Sequence, residues 1–127
     1  MGVAYFIVLE RKIDGVDSGM DGKCLARNIE ALDAAAARLG VRPLSDFLSA
    51  DPAQVSEFLK GEGMEVAESE FPPLRQFAAQ DGLLTVRALA AHAAAKADGV
   101  ARDLHECERI LTAAAAHGVG WHFEVDF

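Results

Sequence analysis

The sequence predicts an α+β domain dominated by helix, in which the N- and C-terminal strands pair in a small sheet covered by four or five helices. Two observations carry this. The chain opens on a short apolar run, "VAYFIVL" (3–9), and closes on a strictly alternating one, "WHFEVDF" (121–127). Each is too apolar to stand alone, and an unpaired strand leaves its backbone groups unsatisfied. Between them apolar residues recur at three- and four-residue steps, the period of an amphipathic helix.

In chain order, Val3 to Leu9 is rich in aromatic and branched residues and reads as a strand buried on both faces or nearly so. A turn-rich loop follows, with Asp14-Gly15 and Asp21-Gly22 as its turn signals. Leu25, Ile29, Leu32, Ala36 and Leu39 share one helical face, predicting a helix over 23–39 that Gly40 ends in the left-handed conformation. Pro43 opens a short helical turn with Leu44, Phe47 and Leu48. Asp51-Pro52 with Gln54 then reads as N-cap, first-turn proline and capping-box partner of a helix holding Val55, Phe58 and Leu59, which stops at Gly61.

Residues 61–70, "GEGMEVAESE", form the least ordered stretch, although 64–68 has the makings of a third, edge strand. Two long helices follow, over 80–97 with Leu83, Val86, Ala90, Ala93 and Ala97 inward, and over 100–117 with Leu104, Cys107, Leu111 and Ala114 inward. Asp98-Gly99 separates them, so they are expected to be antiparallel neighbours whose alanines allow close packing. On the last strand Trp121, Phe123, Val125 and Phe127 take one face and His122, Glu124 and Asp126 the other. There is no repeat and no linker, so residues 1–127 read as one domain.

Composition narrows the function classes. With 51% hydrophobic and 25% charged residues, usage is that of a folded globular protein. A formal charge of −8 repels nucleic acid and anionic membrane and favours either plain solubility or a basic protein partner. The N-terminal apolar run meets Glu10, Arg11 and Lys12 with no basic region before it, which is not a signal peptide, and Gly2 lacks the hydroxyl residue at position 6 that myristoylation wants. Two cysteines are too few to staple the fold. A cytoplasmic protein without cofactor is the simplest expectation.

Three places resemble sites. "DSGMDGKC" (17–24) lies between strand and helix as a phosphate loop does, but Asp17 stands where that motif needs glycine and Cys24 where it needs a hydroxyl. Asp17, Asp21 and Gly22 match positions one, five and six of a calcium loop, while Asn28 occupies the position of the closing glutamate. His122, Glu124 and Asp126 lie about 7 Å apart along one strand face, close enough to share a metal or act as acid and base if further groups converge, with His105 and His117 as nominees. Lastly, Glu62, Glu65, Glu68 and Glu70 read as a solvated loop that would also serve as an acidic lure for a basic partner. Cys24, near a helix N-terminus, and Cys107 on an apolar stripe read as packing residues.

The C-terminal third, "ECERILTAAAAHGVGWHFEVDF", resembles small bacterial proteins of unknown function. Over residues 83–127 it is distantly similar to the YfbM-like family, whose members end in a long helix, a small-residue turn and a strand closing on Asp. The resemblance implies a fold and carries no catalytic motif. The expectation is therefore an acidic binding module, of the immunity or antitoxin sort, that neutralises a basic protein. The alternative is a small metal-dependent or acid–base enzyme using the last strand.

Overall fold

The computed structural model describes residues 3–126, so Gly2 and Phe127 lie outside it. Strand β1 (Ala4–Leu9) and strand β2 (Trp121–Asp126) pair antiparallel, with Ala4 opposite Asp126 and Leu9 opposite Trp121. Between them run α1 (Lys23–Arg27), α2 (Ile29–Leu39), α3 (Pro52–Gly61), α4 (Ala79–Ala90) and α5 (Val100–Ala116), with 3₁₀ turns at Leu44–Phe47, Glu68–Glu70 and Ala93–Lys96. The fold is α+β and helix-dominant, and its only sheet among the described residues is the pair of terminal strands.

The sheet has one face in the core. Tyr5, Ile7, Trp121 and Phe123 are buried there with Leu104, Ile110 and Leu111 of α5 and Leu83, Val86 and Leu89 of α4. The α4–α5 pair is the most extensive helix contact of the fold. Gly82 makes the approach of α4 to the sheet feasible: a Cβ there would lie 2.3 Å from the Trp121 ring. Trp121 stacks on Phe47 at 4.8 Å and meets Phe123 edge-on at 4.9 Å, offset and edge geometries that aromatic rings favour.

β2 is paired on both edges over its first half. Phe77 exchanges two backbone bonds with Trp121, at 2.8 and 3.0 Å, and Ser49 N–H donates to Phe123 O at 3.0 Å beside a parallel bridge at Leu48. This is why residues 64–68 are no third strand. The edge they would have joined is held by Leu48 and Phe77, and 64–67 run as irregular chain into the Glu68–Glu70 turn.

Two helices are shorter than their periodicity suggests. The helix expected over 23–39 breaks at Asn28, whose Nδ2 donates to Cys24 O at 2.8 Å, the side-chain competition for backbone groups that makes asparagine a weak helix former. α2 does end at left-handed Gly40, φ 73°. The helix expected over 80–97 ends at Ala90, because His92 is extended and its Nδ1 accepts the Ala94 N–H at 3.0 Å, starting a separate 3₁₀ turn. Ala90 and Ala93 are consequently exposed, while Leu89 and Ala95 fill the interior.

α3 differs from the other long helices. Asp51 caps it through a bond from Ala53 N–H at 2.9 Å, as its sequence signature predicts, yet none of its residues is buried and Phe58 is 62% exposed. Its substantial packing is with the Glu68–Glu70 turn. The chain leaves β2 at Ser49 and returns at Arg75, whose N–H donates to Ser49 Oγ at 2.8 Å. Residues 50–74 are thus an excursion closed at its root, a lobe standing off the core.

Candidate functional site

Three groups of side chains need placing, beginning with the polar face of β2. His122 is 1% exposed, contrary to the solvent-facing row that strand alternation suggests, whereas Glu124 is half-buried and Asp126 exposed. The alternation is broken because Gln76, just before the Phe77 bridge, comes within hydrogen-bonding range of the ring on that side. His122 Nε2 donates to Glu124 Oε2 at 2.7 Å, and Nδ1 lies 3.3 Å from Gln76 Oε1. A carboxamide suits the ring in either state, accepting from the imidazolium or, turned over, donating to the neutral imidazole.

This geometry brings His122 and Glu124 together and leaves Asp126 apart. Neither His105 nor His117 is a hydrogen-bonding partner of the trio. Both ring nitrogens are engaged inside the protein, so neither faces a substrate as a general base must. No group of three or more metal-ligating side chains converges anywhere among the described residues. His122, held between Glu124 and Gln76, ties the root of the lobe to β2.

In the loop before α1, Asp17 Oδ1 accepts the Gly19 N–H at 2.8 Å and Asp21 Oδ1 the Lys23 N–H at 3.1 Å, so both carboxylates serve local turns. Gly22 is required by close approach. Its carbonyl accepts the Tyr5 N–H at 3.2 Å, and a Cβ would lie 1.6 Å from Tyr5 O. The glycine that suggests a phosphate loop in the sequence is an attachment point for β1.

The α1 N-terminus is capped from far along the chain. Asp103 on α5, 1% exposed, accepts the Cys24 and Leu25 N–H groups at 3.1 and 3.3 Å, and its other oxygen lies 3.7 Å from Arg102 Nε. Burial raises the Asp103 carboxyl above its usual range, outweighing the two N–H donors and the arginine. Cys107 is fully buried, and burial pushes its thiol up, leaving no thiolate to react. Cys24 is half-buried, 4.0 Å from Arg102 Nη2.

Sequence reasoning missed Asp103 and Gln76. Asp103 had a signal: it shares the helical stripe of Cys107, Ile110 and Ala114, where a carboxylate must find donors. Gln76 had none, since only the tertiary fold brings it to His122.

The last group is the lobe. Glu57, Glu62, Glu65, Glu68 and Glu70 are all exposed, and with half-buried Asp51 they face one cation, Lys60, within residues 51–70. Phe58 and Met64, 62% and 50% exposed, stand among them. No helix among the described residues is long and apolar enough to cross a membrane. No protein-family model, curated protein or solved structure matches the chain.

Proposed function

We propose that this protein is a non-enzymatic interaction module that binds, and by binding neutralises, a basic protein partner through the lobe of residues 50–74. One observation carries the reading: a run of acidic side chains coincides with exposed Phe58 and Met64 on a part of the chain that contributes no residue to the core. Six carboxylates and one lysine fall within residues 51–70, out of a chain total of 20 acidic and 12 basic residues. Such a surface accelerates encounter with a cationic partner and repels anionic ones. Exposed Phe58 and Met64 supply the desolvated contacts that hold the complex after encounter.

The test is affinity capture from the host at low and high salt, comparing the native protein with a Glu62→Lys, Glu65→Lys, Glu68→Lys, Glu70→Lys variant. All four side chains are exposed, so the variant should fold. A stoichiometric basic protein held by the native lobe, released by salt and lost on charge reversal, is the expected result. Equal capture by both forms, or no stoichiometric partner, would count against the reading.

A further inference from the structure

From the geometry of α3 we infer the form of the partner: a basic amphipathic helix that lays its apolar side along the open stripe of α3. This rests on the reading of the lobe as a docking surface for a cationic protein. α3 is ten residues long, about 15 Å of helix. Val55, Phe58 and Leu59 stand at i, i+3 and i+4, the spacing by which one helix receives another. In a helix of the core such a stripe is covered. Here Val55 and Leu59 are half-buried, Phe58 is 62% exposed, and Met64, just past the helix end in the chain, is 50% exposed.

Charge selects the occupant. A second copy of this chain would set its own glutamates against Glu57, Glu62 and Glu65, in a molecule that already carries −8. Anionic lipid and nucleic acid meet the same repulsion. A surface bearing Lys and Arg around apolar anchors satisfies both features at once. A helix fits better than a strand, because the NH and CO groups of α3 bond along its own axis and offer no sheet edge to extend.

The experiment uses fluorescence anisotropy with two labelled peptides of about 18 residues, long enough to overlay α3 fully. Both contain only leucine and lysine in equal composition. One places leucines at helical spacing, and the other is scrambled to break that spacing. The patterned peptide is expected to bind roughly tenfold tighter, the effect of burying one or two good anchors. Phe58→Ala with Met64→Ala should erase the preference and leave the weaker, salt-sensitive binding common to both peptides. Trp121 fluorescence confirms that this variant remains folded. Equal binding of the two peptides to the native protein overturns the helix inference and leaves the basic-partner reading standing. If neither peptide binds even at low salt, that reading falls as well.

Discussion

Trp121 and Phe58 are both large aromatic side chains in well-formed elements of the same chain. Trp121 is wholly buried in a cluster with Phe47 and Phe123, its Nε1 donating to Ala78 O at 3.2 Å. Phe58 is 62% exposed on a helix none of whose residues is fully buried. The local patterns are equally apolar, since Val55, Phe58 and Leu59 make as regular a stripe as Leu104, Cys107 and Leu111. The difference lies in what each stripe meets. α5 packs against both α4 and β1, whereas α3 belongs to an excursion pinned at Ser49 and Arg75 and packs mainly on its own returning chain. An amphipathic helix therefore announces that a partner surface exists, without saying whether it lies in the same molecule.

The sharpest way to test this contrast is truncation at both places. Trp121→Ala should cost about 3–5 kcal/mol, the usual range for emptying a large aromatic site in a packed core. Phe58→Ala should change stability by less than about 0.5 kcal/mol. Urea denaturation followed by circular dichroism measures both. A large loss at Phe58 would mean that the lobe packs on the core in solution.

Intermediate effects belong to the buried polar contacts. Asp103→Ala uncaps α1 and should cost about 1–3 kcal/mol. Asp103→Asn isolates its charge. Because the carboxyl is raised in the folded state, its favourable contribution is full below the unfolded pKa of about 3.9 and is lost as pH rises through the folded value. Native stability, measured against the Asn variant, should therefore fall as pH is raised from about 4 towards neutrality. A difference that is flat in pH would contradict the assignment.

His122→Ala should also cost about 1–3 kcal/mol, for it removes a buried ring and leaves Glu124 and Gln76 without their shared partner. A solvent-facing His122 would give almost none, so the same denaturation experiment decides between the two placements.

A small effect is expected from the largest change. Replacing residues 51–73 by a short Gly-Ser linker keeps Ser49, Arg75 and Phe77 and removes the lobe. Halving the loop twice returns only about 1 kcal/mol of closure entropy, and α3 gives up little packing. The shortened protein should melt within a few degrees of the native one and lose its affinity for cationic peptides. Failure to fold would show that the lobe supports the core.

Much of the fold is legible in the sequence because its signals are local. β1 and β2 follow from apolar content and alternation, the start of α3 from Asp51-Pro52, and the end of α2 from Gly40. The interruptions at Asn28 and His92 are local too, but each turns on one side chain bonding to the backbone, which periodicity does not register. The site was less legible. His122, Glu124 and Asp126 alternate as a solvent face should, and Gln76, 46 residues away, takes the ring out of solvent.

The sequence by itself therefore determined which segments are helix and strand, that the two terminal strands seek each other, and that acidic charge gathers in residues 51–70. Those properties depend on side-chain spacing within a few residues. The tertiary structure alone decided that Leu48 and Phe77 hold the far edge of β2, that Asp103 caps a helix 78 residues upstream, and that Phe58 on α3 is left open to solvent. These are contacts between segments far apart in the chain, set by how the elements pack, and no local pattern encodes which stripe will remain open.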